Sequence, residues 1–178
     1  MRMEPLGIRL ARISQEAFMP RPAFRIATLA LSALALAATS ARAEEKSPAL
    51  PRDFRSWMHV RSMVVTDADH GMYGFHEVYA NPAALKVLRS EARTPRFPDG
   101  STFVVSIYEV VTKDGMTSAG QKRRDVVQVK DSKATATGGW RFAAFEPSGK
   151  RIAVDQATCF SCHSAAKDSD SVFATFTR

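Results

Sequence analysis

Only two of the 178 residues are cysteine, and they stand three apart. A small fold stapled by a framework of disulfides is therefore excluded. Long hydrophobic runs are missing as well: the longest, Ile26 to Ala38, falls short of the roughly 20 apolar residues that a membrane-spanning helix needs. No internal repeat and no low-complexity linker interrupts the chain, so neither a solenoid nor a tethered pair of modules is indicated. What remains is 45% hydrophobic and 24% charged, the make-up of an ordinary globular domain, and the length suits one core.

Acidic residues are in short supply. Eighteen Asp and Glu face 25 Lys and Arg, giving a formal charge of +7 and a pI near 9.8. That balance invites a nucleic-acid reading. Its distribution argues otherwise, because Arg2, Arg9, Arg12, Arg21, Arg25 and Arg42 fall within residues 1–43 against only Glu4 and Glu16. The leader thus holds four of the seven excess charges and leaves +3 on the rest.

The same leader has the three parts of a secretory signal peptide. Arg21 and Arg25 precede the apolar run, and Ala41-Arg42-Ala43 follows it as a small-x-small cleavage site, with cleavage expected before Glu44. Met19 alone would start a signal of normal length, so residues 1–18 read as a mis-called start. No twin-arginine pair stands before the run, which points to the general secretory route and a periplasmic destination. The expected division is 1–43 as signal peptide and 44–178 as the folded domain, with no membrane span after cleavage.

Both cysteines lie in Cys159-Phe160-Ser161-Cys162-His163, the C-x-x-C-H pattern of covalent c-type haem attachment. The two thiols suit addition to the two vinyl groups of the porphyrin. The next residue, His163, is placed by the same turn to serve as proximal iron ligand. A C-x-x-C redox disulfide would want the start of a βαβ unit, and the motif lies near the C-terminus with no such pattern around it. A structural zinc site would want a second ligand pair, and none of His59, His70 and His76 supplies one with suitable spacing. An exported chain favours haem further. Residues 44–178 are accordingly read as a haem domain carrying one covalent haem c.

Strand signals follow in series: Trp57 to Thr66, Phe75 to Tyr79, Thr102 to Val111, Asp125 to Lys130 and Trp140 to Phe145. Turn residues separate them, including Asp67 to Gly71, Pro98-Asp99-Gly100 and Lys113-Asp114-Gly115. Asn81-Pro82 reads as an N-cap with proline at the first helical position, opening a short helix. A second helix surrounds the haem motif. The fold class expected is α+β, a predominantly antiparallel sheet with a few short helices and a C-terminal C-x-x-C-H. Lys122-Arg123-Arg124 reads as a solvated loop that could dock an acidic redox partner.

The order FRSWMHVRSMV, a His-Gly turn, VYANPAAL, FPDGS with a Val-rich strand, VKDSK, a GGW strand, C-x-x-C-H and a closing Lys-Asp-x-Asp-x-Val-Phe resembles the cytochrome P-460 family, which includes the cytochromes c′-beta. The resemblance spans roughly Phe54 to Phe176. It implies a soluble periplasmic mono-haem protein, a homodimer, with Cys159 and Cys162 as attachment sites, His163 as the metal ligand and an open distal face. Members that oxidise hydroxylamine carry a lysine bonded to the porphyrin rim; the matching position here is Val105, with Lys113 in a turn and Lys122 in a loop. They also use a distal carboxylate; the match gives Val126, with Asp125 one residue away, and a one-residue slip would exchange their faces. The chain therefore resembles the c′-beta branch, whose apolar distal pocket favours neutral diatomics, nitric oxide above all.

Candidates for the distal wall are Phe75, Phe103, Val105, Val126 and Phe142, with Phe173 and Phe176 as further aromatics. Three functions are set against one another: a haem protein binding nitric oxide or related nitrogen oxides, a hydroxylamine- or nitric oxide-oxidising enzyme, and an electron-transfer cytochrome. The last would need a second axial ligand from Met58, Met63, Met72, Met116, His59, His70 or His76. Two haem propionates bring the mature protein close to neutral, so no nucleic-acid partner is expected.

Overall fold

The computed structural model describes residues 47–176, and the proposed signal segment lies outside them. Among the described residues no helix is long and apolar enough to cross a membrane. Six strands form one sheet in chain order: β1 (Met58–Val65), β2 (Gly74–Ala80), β3 (Thr102–Lys113), β4 (Met116–Lys130), β5 (Trp140–Phe145) and β6 (Arg151–Ile152). Every neighbouring pair is antiparallel. Two helices, α1 (Pro82–Arg89) and α2 (Gln156–His163), complete an α+β fold. A meander of this kind contains no βαβ crossover, so the thioredoxin-like alternative lacks its scaffold.

Local chemistry explains the punctuation. The Asn81 carboxamide oxygen accepts from Ala84 N at 2.9 Å, capping α1, and Pro82 occupies the first turn, where its missing N–H costs nothing. The same oxygen accepts from Thr102 N at 3.1 Å, tying the helix start to β3. Asp114 and Gly115 adopt positive φ of 51° and 78°, the left-handed pair that matches hairpin twist and turns β3 back into β4.

β4 is much longer than the predicted Asp125–Lys130. Residues 116–124 are mostly polar and carry no apolar alternation, yet they pair with β3 from Ile107↔Arg124 out to Lys113↔Met116. Lys122-Arg123-Arg124 is thus strand and not loop, and Lys113 ends β3. Each basic side chain has a partner: Lys122 Nζ binds Asp125, Arg123 donates to Tyr73 O at 2.7 Å, and Arg124 donates to Gly71 O. The latter two pin the β1–β2 loop. β6, two residues long, was too short to read from periodicity.

Register assigns the faces. Val78↔Val105↔Val126↔Ala144 and Ala80↔Phe103↔Gln128↔Phe142 run across β2 to β5, and residues directly opposite share a face. On that face Phe97, Phe103 and Trp140 pack edge-on or tilted around Ala84 of α1 and Val172. The opposite face buries Val104, Val127, Ala143 and Phe145 against Phe54. The sheet therefore has a core on each side, and the site lies on the first.

Candidate functional site

Helix α2 is fastened at both ends. Asp155 caps it, accepting from Thr158 Oγ1 at 2.6 Å and from the amides of Ala157 and Thr158. Those bonds, the hydroxyl first, hold its carboxyl below the ordinary carboxylate range. Gln156 pairs with β5 as a strand residue would, donating to Phe142 O at 2.7 Å and accepting from Phe142 N at 2.9 Å. Phe160 rests on Gly138, where a Cβ would come within 2.6 Å of its ring. Gly138 also has φ of 62°, so both space and backbone demand glycine there.

Cys159 and Cys162, three residues apart, therefore share one side of the helix. Both thiols are free; Cys159 is half-buried against the core and Cys162 reaches the cavity described below. Burial pushes the Cys159 thiol up, with Asp155 adding to it, so it rests protonated.

His163 closes α2 with its ring between Phe142 and Phe173, at centroid distances of 5.0 and 5.2 Å. Its Nδ1 donates to Ser171 O at 2.8 Å. Burial lowers its pKa, outweighing the opposite effect of that bond, so the ring is neutral. With the proton committed to Nδ1, Nε2 keeps its lone pair, which is the tautomer a metal requires.

A cavity of about 270 Å³ opens beside this ring. His163, Cys162, Val172, Phe173 and Ala174 form one wall; Met63, Val65, Val78, Phe103, Val105 and Gln128 form the sheet side; Arg61, His70, Met72 and His76 complete it. Among the predicted distal residues, Phe103 and Val105 line the cavity from the sheet, and Phe173 lines it from the side of His163. Phe142 is buried beneath His163. Val126 shares the sheet face of Val105 without lining the cavity, and Phe176 packs at the edge of the core. Phe75 lies on the other face: the β2 alternation gives the cavity side to His76 and Val78 and turns Phe75 away with Glu77 and Tyr79.

The register also locates Asp125. It pairs with Ser106, its Oδ1 accepts from Ser106 Oγ at 2.7 Å, and Lys122 binds its other oxygen, all on the face away from the cavity. Among the described residues the cavity wall holds no lysine and no carboxylate. Of the second-ligand candidates, Met63, His70, Met72 and His76 line the cavity, whereas Met58 and Met116 are exposed and His59 bonds Ser62. Ser171, Gln128 and Arg61 escaped sequence reasoning. Ser171 acts through its backbone carbonyl, which leaves no mark on residue identity, and Gln128 and Arg61 donate to backbone carbonyls whose places only the fold sets.

These residues suit a haem. Two thiols on one helix side, a neutral histidine with a free Nε2 and a largely apolar cavity are the donor set and the cradle it needs. Zinc is less well served, since among the described residues no three His, Cys, Asp or Glu side chains converge. The family model described as Cytochrome P460 matches residues 51–174. No curated protein matches the chain.

Proposed function

Because the chain belongs to the cytochrome P460 family of c-type haem proteins, we propose that it is a periplasmic mono-haem protein that leaves one iron face open to nitric oxide or a related small nitrogen oxide. Cys159 and Cys162 would hold the haem covalently, His163 would hold its iron, and the group would supply a redox-active centre able to bind small ligands.

The observation that carries the reading is the composition of the cavity wall. Its polar side chains are turned to the backbone: Arg61 donates to Phe173 O at 2.9 Å, Gln128 to Ser171 O at 3.0 Å, and His76 Nε2 bonds Met72 O at 2.6 Å. Apart from Cys162, His163 and His70, whose Nδ1 accepts from Met72 N at 3.0 Å, what faces inward between them is aliphatic, thioether and aromatic. An uncharged diatomic enters such a space with little loss of hydration, whereas an anion or a strongly hydrogen-bonding substrate would leave its polar groups unpaired. Val105 on the wall and Asp125 on the far face remove the lysine and the carboxylate that the resemblance attaches to hydroxylamine oxidation. The signal-like leader supports export, and the resemblance supports a homodimer.

A second reading, electron transfer with two axial ligands, draws on the same wall through Met63, His70, Met72 and His76. His70 and His76 are both engaged by Met72, through its N–H at 3.0 Å and its carbonyl respectively, which weighs against their reaching an iron. Titrating the reduced holoprotein with nitric oxide tests the proposal. A stoichiometric shift of the Soret band is expected, with no hydroxylamine-dependent reduction of an added electron acceptor. Hydroxylamine turnover, or a spectrum indifferent to nitric oxide, would overturn it.

A further inference from the structure

The Ser171 carbonyl has two donors. His163 Nδ1 approaches it at 2.8 Å and Gln128 Nε2 at 3.0 Å, with Gln128 and Ser171 both 7% exposed. His163 comes from α2 and Gln128 from β4, so the helix and the sheet meet on one oxygen atom.

That atom is held in place by its neighbours. Asp170 and Ser171 both adopt left-handed backbone, φ 54° and 62°, a conformation that non-glycine residues rarely adopt. The turn persists because Asp170 is held on three sides. Its carboxylate accepts from Phe97 N at 2.9 Å and from Lys130 Nζ at 2.8 Å, and its own carbonyl accepts from Trp140 Nε1 at 2.8 Å. Lys130 also lies over the Trp140 ring, 4.9 Å from its centroid. Strain kept by so many partners is found where a group must be aimed, and here the group aimed is the Ser171 carbonyl.

Resting on the reading of His163 as iron ligand, we propose that Gln128 is a positioning residue that sets the strength of the proximal hydrogen bond by sharing its acceptor. A carbonyl that receives two donors offers each less electron density than it would offer one. A weaker bond at Nδ1 leaves the imidazole a poorer donor through Nε2, because the outer partner of a ligating histidine tunes its basicity. Gln128 thus restrains the push of His163 on its metal, and the sheet wall of the cavity is coupled to the ligand on its other side. A glutamine serving only to fill space would leave His163 indifferent to its loss.

The test is Gln128→Met, which keeps length and removes the donor, made in the full holoprotein. The readouts are the iron–histidine stretching band of the reduced form by resonance Raman and the midpoint potential, with haem content checked by pyridine haemochrome. The band should move to higher frequency and the potential to lower values at unchanged haem per chain. If Gln128→Met does not load haem, Gln128→Asn, which withdraws the amide by one methylene, must give the same direction. No shift, or a shift the other way, in a haem-loaded variant overturns the proposal. An iron–histidine band that is absent from the unaltered protein overturns instead the reading of a five-coordinate iron held by His163, and this inference with it.

Discussion

His76 is 4% exposed and its Nε2 is spent on the Met72 carbonyl. Burial lowers its pKa from the ordinary value of 6.5; the Met72 bond works the other way, and Arg124 and His70 add to the lowering. The unfolded chain therefore takes up a proton at this residue before the folded one does. The stability it contributes is fully present above about pH 6.5 and is lost as pH falls from there through the lower folded value. In thermal melts from pH 8 to pH 5, His76→Gln should flatten the acid side of the stability curve relative to the unaltered protein. Parallel curves would show that His76 titrates alike in both states. At this scale Cys159, Cys162 and His163 could be singled out as candidates because the C-x-x-C-H pattern is written in five consecutive residues. Gln128 and Ser171 were not, since their role depends on a carbonyl aimed by a turn, and any residue type carries a carbonyl.

At the scale of elements, the seating of α2 governs the site. Gly138 lies under Phe160, the residue after the first cysteine, and no side chain fits between them. Gly138→Ala meets the ring and adds a left-handed alanine, together costing about 2 kcal/mol. The denaturant midpoint should fall, and the haem content per chain should drop as α2 lifts from β5. A variant with full haem content and unchanged midpoint would show that α2 does not depend on this contact. The strands were legible where a face is buried, as in β3 and β5, and illegible where it is not. Residues 116–124 form a two-stranded arm with β3, held by backbone pairing that imposes no hydrophobic period, so they read as loop. The same reasoning accounts for Phe75: the cavity face of β2 carries His76 and Val78 and the other carries Phe75, Glu77 and Tyr79, so each mixes polar with apolar residues and composition cannot choose between them.

For the whole molecule, the meander brings its C-terminal helix back over the first face of the sheet, so that residues from β1 to β4 close the cavity opposite His163. Haem as cofactor and the fold class follow from the sequence, but the quality of the cavity does not, because it depends on which side chains from β1 to β4, the β1–β2 loop, α2 and residues 172–174 turn inward. Their sum, among the described residues, is a wall without lysine or carboxylate. The central claim, an unmodified c-type haem on His163 with an open face, is tested most directly by the ferric and ferrous optical spectra together with the denatured pyridine haemochrome. A five-coordinate high-spin spectrum and an ordinary c-type haemochrome are expected. A ferrous Soret band displaced far to the red and surviving denaturation would contradict the claim by revealing a cross-linked porphyrin. Sharp low-spin α and β bands would contradict it by placing a second side chain on the iron.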